Sequence, residues 1–354
     1  MKYKYVQLVA YHAPTLKLID TLPESSKPTL QVVKNLTAHG DKISGKAAEQ
    51  AADAQNRVQR LLDVFNWAVE SIPYDKLGYK QEPDPLRTNQ TETLKVFIVP
   101  EFYFRSTADG YSWNTLTNIL ECLKQSFGDW RFDDWLIVPG TICSHQDAEK
   151  SDKGAFFNTA SVIRGGRTGS MTFVHKKVRS NIDGVPDELI DGARDPKFLP
   201  ILGSWKEQKE RLFEFDGITF GLDVCLDHSL KALKNTAINW PDNENGVSAP
   251  AIDVHLITSC GMSIKTESVA ARAGGCVMLC DGHPRVIEYG IRSGVKPVSV
   301  AGTKVTPATL GAASAEEWKK NVPDACAIPK PSGVDDKDWV TQEVVVYKPI
   351  QLFT

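Results

Sequence analysis

Eight short apolar runs constrain the fold of this chain more than any other feature of its sequence. Each run has five to eight residues, which is the length of a buried strand, and such runs predict strands rather than helices. We therefore predict strands at YVQLVAY (5–11), KVFIVP (95–100), WLIVPGTI (135–142), FNTASVI (157–163), MTFVH (171–175), ITFGLDV (218–224), DVHLITS (253–259) and CVMLC (276–280).

Helical patterns lie between some of these runs. Within residues 46–72, seven apolar side chains recur at three- and four-residue steps, which places them on one face of a helix. Further helices are predicted over about 113–127 and over 228–238. Residues 163–171, IRGGRTGSM, form a glycine-rich turn between two strands and predict a hairpin. Strands that alternate with helices in this way predict a layered α/β domain.

The length of 354 residues is compatible with one domain or two. Polar stretches at about 13–45 and 74–93, and an irregular C-terminal extension from about residue 300, interrupt the apolar pattern without dividing it. We therefore predict a single domain over residues 1–354, with these three segments as elaborations of it.

The composition excludes several classes of protein. With 42% hydrophobic residues, 24% charged residues and a net charge of −3, the chain is typical of a globular protein and has no long basic run for a nucleic acid. No apolar run approaches the ~20 residues of a membrane helix, and the first residues lack the apolar core of a signal peptide. The seven cysteines contain no CxxC pair, which predicts free thiols and a cytoplasmic location.

Three of the predicted strands end at a residue with a reactive side chain, namely Glu101, Lys177 and Cys225. Ligands of open α/β sheets gather beyond the carboxyl ends of the strands, so these side chains can meet at one site. Each residue also has a structural interpretation. A free cysteine is often buried in a core, Glu101 could charge the first turn of a helix, and Lys177 could lie in a solvated basic loop.

Together, the three side chains supply a complete chemistry. A thiolate attacks a carbonyl or nitrile carbon, a carboxylate takes the thiol proton and later activates water, and an ammonium stabilises the oxyanion. A helix that begins near Asp227 would favour the thiolate, and the backbone N–H of Leu226 would be a second oxyanion donor. Asp227 or Ser229 could cap that helix.

The same residues resemble the nitrilase superfamily of carbon–nitrogen hydrolases, which use a Glu-Lys-Cys triad. The resemblance extends over about residues 3–300. The motifs that carry it are VPEFYF (99–104), FNTASVIRGGRTGSMTFVHKK (157–177), GLDVCLD (221–227), LITSCGMS (256–263) and SVAARAGGCVMLCDGH (268–283), of which the last resembles an Arg-Ala helix that leads into a strand.

The resemblance implies a four-layer α-β-β-α sandwich that pairs into homodimers or larger homo-oligomers. It also implies that no metal or organic cofactor is needed and that the partner is a small-molecule amide or related substrate. By the same resemblance, Glu101 is the general base, Lys177 stabilises the oxyanion and Cys225 is the nucleophile.

The sequence departs from the family's pattern at two places near the triad. Cys-Leu-Asp, with Leu226 after the cysteine, resembles the amidase and carbamoylase pattern more than the Cys-Trp-Glu of true nitrilases. Many members have a second glutamate seven or eight residues beyond the lysine. Here the nearest is Glu188, eleven residues beyond Lys177, and Asp183 and Asp187 are alternative acids.

The leading hypothesis is a hydrolase that opens an amide or N-carbamoyl bond through a thioester, with Tyr103, Phe104, His228 and Ser259 as substrate-binding candidates. Four alternatives remain open. The same triad could transfer the acyl group to an amine or hydrolyse a nitrile. A Cys–His hydrolase could use a histidine such as His228 as its base, and a scaffold could have lost turnover.

Overall fold

The computed structural model describes thirteen parts of the chain. They are residues 2–15, 46–80, 91–106, 110–146, 154–167, 169–180, 183, 189–191, 211–238, 250–283, 293–298, 324–327 and 342–352. Of the three predicted elaborations, most of 13–45 and of the C-terminal extension from about 300, and about half of 74–93, lie outside the described residues.

Four α-helices and sixteen strands occur in the described residues. The helices are α1 (Lys46–Ser71), α2 (Trp113–Ser126), α3 (Leu226–Ser229) and α4 (Ala232–Ile238). The strands are β1 (Tyr5–His12), β2 (Thr93–Ile98), β3 (Tyr111–Ser112), β4 (Trp135–Val138), β5 (Thr141–Gln146), β6 (Gly154–Arg164), β7 (Met171–His175), β8 (Leu189–Asp191), β9 (Leu212–Phe215), β10 (Ile218–Val224), β11 (Val254–Ser259), β12 (Cys276–Asp281), β13 (Gly294–Pro297), β14 (Asp324–Ala327), β15 (Glu343–Val346) and β16 (Ile350–Gln351).

The described strands form two sheets. The larger has the order β14-β15-β1-β2-β4-β6-β5-β3, with β16 on β1 and both β7 and β8 on β6. The smaller has the order β13-β12-β11-β10-β9. Strands β1, β2 and β4 run parallel in the first sheet, and β10, β11 and β12 run parallel in the second. Parallel neighbours end at the same edge, so each sheet presents a row of carboxyl ends.

The apolar side chains separate into three layers of core, which confirms the predicted four-layer sandwich. Alternate residues of β2 show the separation, because successive side chains of a strand point to opposite faces. Val96 packs between the two sheets against β10 and β12, whereas Phe97 packs under α1 and α2. A third cluster joins Leu233 of α4 to Ile257 and Leu279 on the outer face of the smaller sheet.

Each of the eight predicted strands corresponds to strand in the structure, but two predicted elements are divided. The run 135–142 breaks into β4 and β5 because Gly140 has φ +84° and lies so close to Pro100 that a Cβ would come within 2.5 Å of its carbonyl oxygen. The predicted helix 228–238 divides between α3 and α4, where Lys231 has φ 60°.

The segment that resembles an Arg-Ala helix is not helical. Only a single 3-10 turn, Thr266–Ser268, precedes an irregular stretch that leads to β12. The backbone N–H of Ala270 donates to His255 Nδ1 at 3.2 Å, and that of Arg272 donates to the carbonyl of Ile252 at 2.8 Å. Neighbouring residues of the smaller sheet therefore satisfy these backbone groups in place of a helical turn.

Two predictions from composition can be compared with the structure. The cysteines at 122, 143, 225, 260, 276 and 280 are free and buried, in agreement with the predicted free thiols. Among the helices of the described parts, none combines the length and the apolar character needed to span a membrane.

Candidate active site

Three strand ends meet where the two sheets face each other. Glu101 follows β2 and Lys176 follows β7 in the larger sheet, while Cys225 follows β10 in the smaller one. Lys176 Nζ donates to Glu101 Oε1 at 2.8 Å, and the Cys225 thiol interacts with the same carboxyl group. All three side chains are buried. The structure thus brings Glu101 and Cys225 together, with Lys176 in the position that the sequence analysis assigned to Lys177.

Strand alternation explains why Lys176, and not its neighbour, reaches the site. Val174 of β7 packs in the core between the sheets, and the side chain two residues later points to the same face. The backbone N–H of Lys176 donates to the carbonyl of Asn158 at 2.8 Å, which continues the β6–β7 pairing for one more residue. Lys177 follows on the opposite face. A shift of one residue therefore exchanges the two lysines between the faces.

Asp183 supplies a second acid to the site. Its carboxylate accepts from Lys176 Nζ at 2.7 and 3.0 Å, and Asn158 Nδ2 donates to both Glu101 and Asp183, at 2.9 and 3.3 Å. Asp183 stands seven residues beyond Lys176, which is the spacing of the second acid in the nitrilase pattern. Glu188, the residue first considered for this position, lies outside the described residues.

The charges of the site interact strongly because they are buried together. The pKa of Glu101 is raised to about 7, chiefly by burial; the positive charge of Lys176 opposes this rise and the negative charge of Asp183 adds to it. Burial alone would lower the pKa of Lys176, but the carboxylates of Glu101 and Asp183 outweigh it and raise that pKa well above its usual range. The lysine is therefore a permanent ammonium at neutral pH.

The thiol of Cys225 is not pre-ionised in the free protein. Burial and then the charge of Glu101 raise its pKa well above the usual range, and the helix that follows has only four residues. The predicted effect of this helix end on the thiolate stays a prediction. A proton acceptor is required instead, and the carboxyl group of Glu101 is the acceptor that lies beside the thiol.

Two turns of the site hold non-glycine residues in the left-handed region. Cys225 has φ 44° and Phe102, directly after Glu101, has φ 65°. Such conformations cost free energy and concentrate at functional sites. Hydrogen bonds hold both turns: Cys225 N donates to the Thr258 carbonyl at 2.9 Å, and Phe102 N donates to Thr141 Oγ1 at 2.8 Å.

The short helix after the cysteine begins at Leu226. The first N–H groups of a helix have no acceptor within it, so the predicted oxyanion role of the Leu226 N–H remains a prediction. Neither predicted cap is present, because the N-cap residue is Cys225 and its side chain makes no capping hydrogen bond. Asp227 instead accepts from the backbone of Lys177 and from Arg211, and Ser229 Oγ lies 3.2 Å from Met262 Sδ.

The four side chains predicted to bind substrate are buried, as the three of the proposed triad are, and their role stays a prediction. Tyr103 and Phe104 pack in the core under α1, and Tyr103 Oη donates to the carbonyl of Arg57 at 3.2 Å. His228 and Ser259 are 0% exposed. The Ser259 hydroxyl donates to Asp281, while its carbonyl accepts from the N–H of Glu101 at 3.3 Å. Ser259 thus supports the base through its backbone.

One buried cluster has the residue types of a metal site. Ligand atoms of Asp223, His228 and His255 lie within 4.8 Å of one another. However, His228 Nε2 accepts the N–H of Lys265 at 3.0 Å, and His255 Nδ1 accepts that of Ala270 at 3.2 Å. A ring nitrogen that accepts such a bond carries no proton, so the proton of each ring lies on the nitrogen that faces Asp223, where a metal would need a lone pair.

This cluster is a hydrogen-bonded network, and it also weakens the Cys–His alternative. His255 Nε2 lies 3.0 Å and His228 Nδ1 lies 3.4 Å from Asp223 Oδ2. His255 therefore uses both of its ring nitrogens within the cluster, and the His228 nitrogen without a hydrogen bond, Nδ1, lies beside Asp223. His175 Nδ1 lies 2.7 Å from Thr159 Oγ1, and burial lowers the pKa of His175 to about 3.

No family model and no curated protein matches the chain. Solved structures similar to it include Nit3 of Saccharomyces cerevisiae, a member of branch 10 of the nitrilase superfamily, at 13% identity, with 78% of this chain and 76% of that chain covered and a TM-score of 0.39. An amidase from Nesterenkonia sp. is 11% identical, with 79% and 77% covered and a TM-score of 0.39. A variant of that amidase, showing the result of Michael addition of acrylamide at the active site cysteine, is 12% identical, with 78% and 81% covered and a TM-score of 0.39. The sequence motifs described above resemble the superfamily to which Nit3 belongs.

Proposed function

We propose that this chain is a cysteine-dependent hydrolase of a non-peptide carbon–nitrogen bond of the amide or N-carbamoyl type. One observation carries the proposal: a buried carboxyl group, that of Glu101, contacts both an ammonium and a thiol at the ends of three strands. A base, a fixed positive charge and a nucleophile are the groups that acyl transfer through a thioester requires.

The first half of the reaction forms the thioester. Glu101 takes the thiol proton of Cys225 as the sulfur attacks the carbonyl carbon of the substrate. Lys176 Nζ and the N–H of Leu226 stabilise the negative charge that develops on the carbonyl oxygen. As the tetrahedral intermediate collapses, Glu101 returns the proton to the leaving nitrogen, which departs as ammonia or an amine.

The second half releases the acid. Glu101 takes a proton from a water molecule as its oxygen attacks the thioester carbon, and the same two donors stabilise the second oxyanion. Collapse of this intermediate expels the sulfur of Cys225, which recovers the proton from Glu101. The pKa of about 7 suits Glu101 to this exchange, because the group can accept and donate a proton near neutral pH.

Asp183 has a supporting electrostatic role in this proposal. Its carboxylate lies 2.7 Å from Lys176 Nζ and raises the pKa of the lysine, so the ammonium does not compete as a base. The same negative charge raises the pKa of Glu101. Asp183 thus separates the roles of the two neighbours by keeping one charged and the other able to exchange a proton.

The test is ammonia release by wild type and by Cys225→Ala across primary amides, N-carbamoyl compounds and nitriles, with intact mass recorded on the same samples. Cys122→Ala, at a buried cysteine of α2, is the matched control. Ammonia from wild type and Cys122→Ala, but not from Cys225→Ala, supports the proposal and identifies the substrate class.

Two other results would favour the alternatives. An acyl adduct on Cys225 without sustained ammonia release would indicate transfer to an amine. Equal ammonia release by Cys225→Ala, or no release and no adduct with any substrate, would contradict a thiol hydrolase.

A further inference from the structure

Arg211 lies directly before β9 and is nearly fully buried, yet it takes no part in the chemistry proposed above. Its Nη2 donates to Asp227 Oδ2 at 2.6 Å and to the carbonyl oxygen of His175 at 2.9 Å. Asp227 belongs to the turn that carries the nucleophile, and His175 ends the strand that carries Lys176. One nitrogen therefore joins a segment of the smaller sheet to a segment of the larger one.

Asp227, which accepts from Arg211, also contacts the backbone that follows Lys176. Besides Arg211, the Asp227 carboxylate accepts the backbone N–H of Lys177 at 3.0 Å and that of Val178 at 2.8 Å. The peptide group before Lys176 is thus held by Arg211, and the peptide group after it is held by Asp227. The position of the Lys176 ammonium follows from this pair as well as from its own contacts with carboxylates.

The Nη1 nitrogen of Arg211 contacts β10, the strand that ends at the nucleophile. Arg211 Nη1 lies 3.3 Å from both Asp223 Oδ1 and the carbonyl oxygen of Leu222 in β10. Asp223 Oδ2 lies 3.0 Å from His255 Nε2, its hydrogen-bond partner, and 3.4 Å from His228 Nδ1. The guanidinium is a planar fork that can address two carboxylates in fixed directions, and a lysine cannot reproduce this geometry.

We propose that Arg211 is a positioning residue that sets the distance between the Lys176 ammonium and the Cys225 thiol. The inference rests on the proposed function and extends it, because it assigns to Asp227 and Arg211 the alignment of two groups that come from different sheets. Replacing the Arg211 guanidinium should therefore impair the chemical step more than it impairs substrate binding or folding.

A second buried arginine offers a matched control. Arg164 Nε donates to Asp216 at 2.8 Å, and its Nη1 donates to the carbonyl oxygens of Trp135 and Gly165 at 3.1 and 3.0 Å. Like Arg211, it combines a carboxylate with backbone carbonyls in a buried setting. It contacts neither the lysine segment nor the nucleophile turn, so Arg164→Lys measures the general cost of replacing a buried guanidinium.

The experiment compares wild type, Arg211→Lys and Arg164→Lys by kcat, KM and thermal midpoint, using the substrate class found in the panel. A misplacement of about 1 Å costs on the order of 10²-fold in rate, so we expect kcat of Arg211→Lys to fall by that order with little change in KM. Arg164→Lys should keep the wild-type kcat at a similar thermal midpoint. Equal kcat values for the two variants, or a rise in KM without a fall in kcat, would overturn the proposal.

A substrate-independent measurement separates this inference from the proposed function. The positive charge of Lys176 lowers the pKa of Cys225, so a displaced ammonium should slow alkylation of that thiol by iodoacetamide in Arg211→Lys but not in Arg164→Lys. If wild type shows no amide turnover, the proposed function fails while this comparison still decides the role of Arg211. If Arg211→Lys does not fold, Asp227→Asn replaces it: slower alkylation supports the proposal, and the wild-type rate overturns it.

Discussion

The pH dependence of Cys225 alkylation should report the ionisation of Glu101 rather than that of the thiol. Burial raises the pKa of Glu101 to about 7, whereas burial and the neighbouring carboxylate raise the pKa of Cys225 well above its usual range. Near neutral pH the thiol can therefore lose its proton only to an adjacent base, and the share of ionised Glu101 sets the rate.

The expected magnitude follows from that pKa. With a value of about 7, Glu101 is about 10% ionised at pH 6 and about 90% ionised at pH 8. The alkylation rate constant should then rise roughly tenfold in total between these two pH values and level off above them. A thiol that ionises alone, with a pKa above the range of the assay, would instead react about tenfold faster for each pH unit.

The assay uses iodoacetamide in excess and follows the mass of the peptide that contains Cys225. Glu101→Gln should remove the rise near pH 7 and slow the reaction by about 10²-fold or more, since a positioned general base contributes about that factor. Cys122, whose pKa is raised by burial and which lies outside the site, is an internal reference in the same samples.

Two results would refute the reasoning. A rate that continues to climb tenfold per pH unit above pH 8 would show that the thiol ionises without the carboxylate. A Glu101→Gln protein that keeps the rate and the plateau of wild type would remove Glu101 from the role of base.

Two further predictions concern buried lysines. Lys176→Met should reduce turnover by about 10²-fold or more, because the oxyanion loses its charged donor, whereas Lys177→Met should retain most of it; the reverse order in a turnover assay would restore Lys177 to the site. Burial lowers the pKa of Lys95 to about 7. Between about pH 7 and pH 10 the unfolded state then holds a proton that the folded state lacks, so stability rises with pH. Lys95→Met should abolish that rise and stabilise the protein near pH 7 by about 3 to 4 kcal/mol. The free energy of unfolding is measured with denaturant at about pH 7 and about pH 10. A variant whose stability rises with pH as steeply as that of wild type would contradict the prediction.

The strands were predictable because each apolar run is short and because the two sheets bury the runs on both faces. The breaks between β4 and β5 and between α3 and α4 were harder to predict from the sequence, because they depend on contacts with other parts of the chain. Gly140 illustrates this point, because its left-handed conformation brings β5 against the carbonyl of Pro100. A glycine after a proline in a run of apolar residues signals a break, but the distance that demands it belongs to the folded state.

The residue types of the proposed triad were visible in the sequence because each of them follows a predicted strand. Glu101 and Cys225 are the only reactive residues at the ends of their runs, whereas the end of β7 carries two consecutive lysines. Continuing the alternation from Val174 selects Lys176, and the seven-residue spacing from Lys176 to Asp183 agrees with that choice. These two signals were present in the sequence and could have been combined before the structure was known.

Nearness to Glu101 in sequence does not by itself place Tyr103 and Phe104 in the site. Phe102 has a positive φ directly after Glu101, so the chain turns away from the site and carries Tyr103 and Phe104 into the core under α1. Arg211 was not visible for the opposite reason. Its partner His175 is distant in sequence, and only the packing of the two sheets makes them neighbours.

The buried charges of the site limit what a simple truncation can show. Glu101, Lys176 and Asp183 exchange hydrogen bonds in a setting where each is nearly inaccessible to water. Removing one partner of a buried ion pair leaves an uncompensated charge, which can cost several kcal/mol of stability. A truncation such as Glu101→Ala would therefore lose activity through unfolding as well as through chemistry. Glu101→Gln keeps the shape of the side chain and one acceptor oxygen for Lys176 and Asn158, so a folded protein with slow alkylation isolates the loss of the base.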